Sequence, residues 1–166
     1  MDEALKSIFH IQAFRSLQLE CINITMSGLD CILVMPTGGG KSLCFQLPAV
    51  VSEGWTLVIS PLLSLMEDQL MFLKDLSINA ELLNASSTKE HVNAVHNAMV
   101  DKKAGLKMLY VTPEKISKSK RFMAKVEKAY SGKKDTSVVS HTPQCQIEAP
   151  IPYRNRRTYY RYRPKL

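Results

Sequence analysis

The sequence predicts an α/β fold in which a parallel sheet carries helices on both faces. Short apolar runs suited to buried strands alternate with longer segments whose apolar residues recur at helical spacing. Three glycines join the first apolar run to the helical pattern that follows it, and two later runs end at a proline. Strands that alternate with helices pair in parallel through right-handed crossovers, and ligands bind at the carboxyl ends of such strands.

The predicted elements follow one another in a regular order. A short helix over residues 2–10 is followed by a second helix that stops at Gly28, since glycine commonly follows a last helical turn. A strand at 30–35 leads through the glycines to a helix that opens at Lys41 and is ended or kinked by Pro48. Later strands are predicted at 56–60, 78–83 and 108–111, each before a helix; capping boxes that start at Ser64 and Ser87 mark two of these helices.

Charge divides the chain into two parts. Residues 1–130 hold 14 Lys and Arg against 13 Asp and Glu, whereas residues 131–166 hold 8 against 2. The second part is polar and rich in Pro, Tyr and Arg, and it keeps no helical or strand periodicity. We therefore expect one partial α/β domain at 1–130 and a disordered basic tail at 131–166. The tail could bind nucleic acid, but we prefer the interpretation that its Tyr- and Arg-rich composition is accidental and has no function.

Other features narrow the class of protein. The sequence has no run of eighteen apolar residues and no secretory signal pattern, so no membrane partner is expected. The four cysteines form no C-x-x-C pair and have no histidine at ligand spacing, which favours reduced thiols in a cytosolic or nuclear protein. His91 and His96 lie five residues apart on one predicted helix, and we expect them on its solvated face.

The segment from Met35 to Ser42 is typical of a phosphate-binding loop. Its three glycines leave the backbone free to approach an anion and to direct N–H groups at it. In this chemistry Lys41 reaches the β and γ phosphates and the Ser42 hydroxyl binds Mg²⁺. Met35 stands where the strict pattern has its first glycine, which weakens the pattern match but not the mechanism. The segment predicts a nucleotide site.

Four motifs resemble the opening motifs of RecQ-type DNA helicases. They are Phe14-Arg15-x-x-Gln18, the glycine loop continued to Gln46, the stretch Ser60–Gln69, and Tyr110–Glu114. Their order and spacing are similar to the first half of the first RecA-like domain of that family, in particular of its short vertebrate members, over residues 4–130. The resemblance implies an ATP-dependent 3′–5′ DNA helicase of the nucleus, with ATP and Mg²⁺ as cofactors and single-stranded or duplex DNA as partner.

The resemblance also implies roles for individual residues. Arg15 and Gln18 would hold adenine, with Phe9 or Phe14 as the aromatic that stacks on the base, and Lys41 is the implied catalytic residue. The residues implied in nucleotide binding are Arg15, Gln18, Thr37, Gly38, Gly39, Gly40, Lys41 and Ser42, the last also on Mg²⁺. The residues implied in contact with the DNA backbone are Ser60, Pro61, Leu62, Thr112 and Pro113.

One family motif is missing. The Asp-Glu-x-His tetrad, which binds Mg²⁺ and orients the attacking water, occurs nowhere in the sequence. We therefore interpret the chain as an amino-terminal fragment or truncated isoform that keeps ATP and DNA contacts and is unable to hydrolyse ATP or unwind DNA alone. The alternatives are a non-catalytic nucleic-acid-binding modulator with the full-length helicase as partner, and a fragment of a DEAD-box RNA helicase. A small P-loop kinase or GTPase leaves the Arg15 and Gln18 motif unexplained.

Overall fold

The computed structural model describes residues 1–131 and 137–140. Two compact units divide the chain, one that contains Met1–Val51 and another that begins at Ser52. The sequence gives no sign of a division at this point. Over the described residues, every helix is too short or too polar to cross a membrane.

The first unit contains three helices, α1 (Asp2–Ser7), α2 (Gln18–Met26) and α3 (Leu43–Val51). Helix α3 packs against both α1 and α2, and Leu5, Ile22 and Leu47 are fully buried. Gly28 takes a φ of +71° just after α2, so the predicted stop at this glycine is confirmed. The predicted opening of α3 at Lys41 is wrong by two residues, and α3 continues past Pro48.

The strand predicted at residues 30–35 does not form. This segment has no regular secondary structure, and Ile32 and Val34 are 52% and 73% exposed. A strand requires a neighbour with a free edge, and apolar composition alone cannot supply one. The prediction of a buried strand before the glycine loop is therefore wrong.

The second unit is built on a parallel sheet. Its elements in chain order are β1 (Thr56–Ile59), α4 (Leu63–Asp75), β2 (Ala80–Leu83), α5 (Lys89–Ala98), a 3₁₀ turn (Lys102–Ala104), β3 (Met108–Val111), α6 (Pro113–Lys118), α7 (Lys120–Ser131) and β4 (Ser137–Ser140). The strands lie in the order β2-β3-β1-β4, and all three neighbouring pairs are parallel. The predicted α/β class with a parallel sheet is confirmed.

The sheet of the second unit is covered on both faces. On one face, Leu109 and Val111 belong to a buried apolar cluster that includes Val95 of α5 and Phe122 of α7. Side chains alternate between the faces of a strand, so Tyr110 points the other way. Its hydroxyl lies 3.1 Å from Gln69 Oε1 of α4. Helices α5 and α7 therefore cover one face, and α4 covers the opposite face.

Helix starts in the second unit differ from the predicted capping boxes. Helix α4 has Leu62 as its N-cap without a side-chain hydrogen bond, and Ser64 lies inside the helix, so the capping box at Ser64 is wrong. Helix α5 is capped by Thr88, one residue after Ser87, and the Thr88 hydroxyl accepts a hydrogen bond from the His91 N–H at 3.2 Å. Helix α5 therefore begins at a hydroxyl cap, whereas α4 begins without one.

The prediction for the tail needs one correction. Residues 137–140 form β4, which pairs in parallel with β1 from Thr56 to Ile59. This strand was not predicted because Val138 and Val139 are too short an apolar run to show periodicity. The rest of the predicted tail, residues 132–136 and 141–166, lies outside the described residues.

The expected solvated position of His96 is also wrong. Its side chain is 3% exposed and stacks on Phe122, with ring centroids 6.1 Å apart. Neither ring nitrogen finds a hydrogen-bond partner among the described residues. Burial, together with the nearby charges of Arg121, Lys125 and Lys115, lowers the pKa of His96. His96 is therefore neutral in the folded chain at physiological pH.

Acid should destabilise the second unit through His96. Below about pH 6.5, the unfolded chain binds a proton at this ring that the folded chain resists, so the free energy of unfolding falls as the pH drops. His96→Leu should flatten this pH dependence and stabilise the neutral protein by about 1 kcal/mol, because two unsatisfied buried nitrogens are removed. Urea denaturation at neutral and mildly acidic pH measures both effects.

His91→Leu is the matched control for this substitution. The His91 side chain is 40% exposed, and its Nε2 already lies 3.0 Å from the Leu82 carbonyl oxygen. This variant removes a histidine that is not buried, together with its contact to Glu81 at 3.7 Å, and so tests whether the loss of any histidine flattens the pH dependence. An equal pH dependence in His96→Leu and in the parent would show that burial of His96 is not its cause.

Candidate nucleotide-binding site

The glycine segment folds into a tight loop within the first unit. The Gly39 N–H donates to the Pro36 carbonyl at 3.0 Å, and the Leu43 N–H donates to the Gly40 carbonyl at 3.3 Å. Gly38 and Gly40 adopt φ values of +78° and +83°, which residues with a side chain rarely take. The loop thus reverses the chain twice before α3 begins at Leu43.

Backbone donors are concentrated on this loop. The N–H groups of Gly38, Gly40, Lys41 and Ser42 donate no hydrogen bond within the part of the chain that the structure describes. Those of Gly40, Lys41 and Ser42 lie immediately before the first turn of α3, where the peptide dipoles of a helix favour negative charge. Successive unpaired N–H groups at such a position are suited to hold the oxygens of a phosphate.

The side chain of Lys41 lies folded over the loop. Its Nζ donates to the carbonyl oxygens of Met35 at 2.9 Å and Pro36 at 3.0 Å. These carbonyls compensate the ammonium charge only in part, since they carry no net charge. Lys41 can therefore exchange them for phosphate oxygens, which make stronger charge-assisted bonds.

Arg15 and Gln18 bind the loop itself. Gln18 is 3% exposed; its Oε1 accepts from the Arg15 backbone N–H at 2.7 Å and its Nε2 donates to the Gly40 carbonyl at 3.0 Å. The Arg15 guanidinium donates to the Gly38 carbonyl at 2.5 Å. The structure thus brings together the residues for which adenine binding was predicted and the glycines predicted to bind phosphate.

Two features of this arrangement were not visible in the sequence. Leu17, directly before Gln18 and the N-cap of α2, has a φ of +70°, an unfavourable conformation for a leucine. A Cβ atom on Gly40 would lie 2.3 Å from Gln18 Nε2, whereas a Cβ on Gly38 would meet nothing within 4 Å. Gly40 is therefore required by the approach of Gln18 as well as by its own backbone angle.

The remaining predicted nucleotide residues differ in how accessible they are. Thr37 is exposed, and Ser42 is half-buried and makes no hydrogen bond through its hydroxyl to another described residue. Of the two aromatic residues considered for base stacking, Phe9 is buried and Phe14 is half-buried. Phe14 is therefore the aromatic with a surface available to a ligand.

The segments predicted to contact DNA lie at one end of the sheet in the second unit. Ile59 and Val111 are partners in the pairing of β1 with β3, so the next residues, Ser60 and Thr112, lie at the same end of the sheet. The Ser60 N–H donates to the Val111 carbonyl at 3.1 Å. Pro61 and Leu62 are exposed, while Pro113 is the first residue of α6. The structure thus places Ser60–Leu62 beside Thr112 and Pro113.

Comparison with known proteins identifies related sequences. A family model described as DEAD/DEAH box helicase matches residues 15–139, which extends past the boundary expected at 130 and includes most of β4. The chain is 59% identical over 143 residues to "ATP-dependent DNA helicase Q1" of Pongo abelii and of Mus musculus. These matches cover 86% of this chain but 22% of each relative, so the chain spans about a fifth of their length.

More distant comparisons agree with these matches. The "ATP-dependent DNA helicase RecQ" of Haemophilus influenzae is 50% identical over 112 residues, which is 68% of this chain and 18% of that protein. Among solved structures, a hypothetical ATP-dependent RNA helicase from Sulfolobus tokodaii superposes with a TM-score of 0.53 at 15% identity. That superposition covers 86% of this chain and 51% of the other, and it supports a common fold only.

Proposed function

The chain belongs to the DEAD/DEAH box helicase family, and from this membership we propose that it is part of the ATP-binding domain of a RecQ-type DNA helicase. The identity of 59% to two Q1 helicases favours the RecQ type over the other members of the family. The triple glycine and the spacing of Arg15 and Gln18 favour the same type. We also propose that its substrate is DNA and that it is located in the nucleus.

The unpaired backbone donors of the glycine loop are the observation that carries the proposal. Four N–H groups, at Gly38, Gly40, Lys41 and Ser42, are available to phosphate oxygens. The Lys41 ammonium is within the same loop and can move from the Met35 and Pro36 carbonyls to a phosphate. Together they provide a positively charged surface for a triphosphate.

Adenine recognition is assigned to Gln18. Its carboxamide offers one donor and one acceptor, the pair that matches the N7 and N6 positions of adenine. Both groups now bond to the Arg15 N–H and the Gly40 carbonyl. Binding of adenine would replace at least one of these two hydrogen bonds. Because one of them holds the Gly40 carbonyl, recognition of the base would affect the conformation of the glycine loop.

The Mg²⁺ ion of the nucleotide would be held by few protein groups. Ser42 contributes its hydroxyl, and among residues 1–131 and 137–140 no cluster of three or more His, Cys, Asp or Glu side chains could hold a metal ion. Phosphate oxygens and water would supply the other ligands, as is usual for Mg²⁺ in nucleotide sites. Removal of Mg²⁺ should therefore weaken nucleotide binding without unfolding the chain.

ATP hydrolysis is not expected of these 166 residues alone. By resemblance, the strand that follows α7 should end in the Asp-Glu-x-His tetrad, and β4 is the strand at this place. The residues that follow β4 are His141, Thr142, Pro143 and Gln144, which include no carboxylate. Without a group that orients water and without a carboxylate ligand for Mg²⁺, the γ phosphate has no activated nucleophile.

DNA contact is assigned to the end of the sheet at which β1 and β3 both terminate. Ser60–Leu62 leads into α4 and Thr112 leads into α6, so two helices begin at this end of the sheet. Thr112 makes no side-chain hydrogen bond as the N-cap of α6, which leaves its hydroxyl available to a phosphate oxygen. Contacts of this kind bind the DNA backbone without reading the base sequence.

Nucleotide selectivity tests the proposed function. With Mg²⁺, we expect the chain to bind a fluorescent ATP analogue, to release it more readily to ATP than to GTP, and to produce no free phosphate. Gln18→Glu keeps the acceptor for the Arg15 N–H but loses the donor, so the preference for ATP over GTP should fall about tenfold. Competition titrations measure this ratio, and thermal unfolding confirms that the variant is folded.

Gln12→Glu provides the matched control, since Gln12 is an exposed glutamine of the same unit. It adds the same charge and should leave the ratio unchanged. Equal displacement by ATP and GTP in the parent chain would contradict an adenine site. Release of phosphate by the parent chain, lost in Lys41→Ala, would contradict the expected lack of hydrolysis.

A further inference from the structure

Three of the four cysteines meet beside the glycine loop. Cys21 lies in α2, Cys31 lies in the segment before the loop, and Cys44 lies in the first turn of α3. The sulfurs of Cys21 and Cys31 are 3.8 Å apart. The thiol of Cys44 lies 3.9 Å from the Gly40 carbonyl oxygen. None of these thiols has a part in the nucleotide chemistry proposed above.

The thiols differ in ionisation and in access. Interaction with Cys44, together with burial, raises the pKa of Cys21, and interaction with Cys21 lowers the pKa of Cys44. Burial raises the pKa of Cys31 to about 11, so little of its reactive thiolate is present at neutral pH. Cys21 and Cys44 are buried, however, and Cys31 is only half-buried. An external reagent therefore reaches Cys31 first, and reaction there is slow.

We propose that Cys21 and Cys31 form a reversible disulfide when the chain meets a small disulfide oxidant such as oxidised glutathione. The Cys31 thiolate attacks one sulfur of the oxidant, forming a mixed disulfide and releasing one glutathione thiolate. The Cys21 thiol then loses its proton and attacks Cys31 Sγ, which forms the Cys21–Cys31 bond and releases the second glutathione thiolate. The two released glutathione thiolates take up, through water, the protons that Cys31 and Cys21 lose. Overall, two cysteine thiols are oxidised and one oxidised glutathione is reduced to two thiols.

The local structure suits this bond. The two sulfurs are 3.8 Å apart, and a disulfide requires them to approach to about 2.05 Å through rotation of the side chains and a shift of the segment that carries Cys31. Cys31 belongs to a segment without regular secondary structure, so its backbone can adjust while α2 stays fixed. The bond would tie the segment that enters the glycine loop to the helix that begins with Gln18.

Peptide mapping of the oxidised chain tests this pairing. All variants carry Cys145→Ser, because Cys145 lies outside the described residues. Trypsin cleaves after Arg15, Lys41 and Lys74, so Cys21 and Cys31 share the peptide 16–41 and Cys44 falls in the peptide 42–74. A Cys21–Cys31 bond appears as a single peptide 16–41 that lacks two hydrogens, whereas a bond to Cys44 links two peptides.

We expect the internal bond in peptide 16–41 to exceed the cross-link between the two peptides about tenfold, because the oxidant reaches Cys31 and the sulfur of Cys21 is already in contact with that of Cys31. Cys44→Ser should leave this internal bond in place, and Cys31→Ser should abolish it. The oxidised chain should also unfold at a temperature roughly 10 °C higher than the reduced chain. A dominant cross-link between the peptides, or a stable mixed disulfide at Cys31 that Cys21 does not resolve, would overturn the pairing.

Discussion

Lys41→Ala should weaken ATP binding by roughly 10- to 100-fold, the change that corresponds to the loss of a charge-assisted bond to phosphate. The ammonium of Lys41 is the charged group placed within the loop, where it now bonds to the carbonyls of Met35 and Pro36. The unpaired N–H groups nearby bind phosphate as neutral donors and cannot replace its charge. Isothermal titration or displacement of a fluorescent ATP analogue measures the loss.

Lys74→Ala is the matched control for this substitution. Lys74 is an exposed lysine in the last turn of α4, outside the unit that contains the loop. It removes the same charge from the protein and should leave the affinity unchanged. Equal losses in both variants would show that Lys41 acts only through the net charge, and an unchanged affinity in Lys41→Ala would remove the loop from the nucleotide site.

Gly40→Ala should destabilise the first unit by about 2–4 kcal/mol, through a strained backbone and a displaced Gln18. The new Cβ would lie 2.3 Å from Gln18 Nε2. The end of a glutamine side chain can often move aside, but Gln18 is buried and hydrogen-bonded to both Arg15 and Gly40. Moving it breaks those two bonds inside the protein. Denaturant unfolding followed by circular dichroism measures the change.

Gly38→Ala separates the two causes. Gly38 has nearly the same backbone conformation, with φ of +78° against +83°, but a Cβ there would meet no atom within 4 Å. This variant should lose only about 1–2 kcal/mol, the cost of the left-handed conformation. Similar losses at Gly38 and Gly40 would mean that the Gln18 contact contributes nothing, and then nucleotide binding should be equally affected by both variants.

Much of the candidate site follows from the order of residues along the chain. The glycine loop places Lys41 and Ser42 directly after Gly38–Gly40, and chain connectivity alone keeps these groups together. The contact of Gln18 with Gly40 joins residues 22 positions apart, and it depends on the packing of α2 against α3. The meeting of Cys21 and Cys31 depends in the same way on how the segment before the loop lies against α2.

Local sequence also determined most of the helices and three of the four strands that the structure describes. Their periodicity and their Gly and Pro signals reflect the conformations that each segment favours by itself. Residues 30–35, which are more apolar than residues 137–140, form no strand, while residues 137–140 pair with β1. A strand is stabilised by hydrogen bonds to a neighbour, and each edge of β1 accepts one partner only. Tertiary structure therefore decided which segment became the strand.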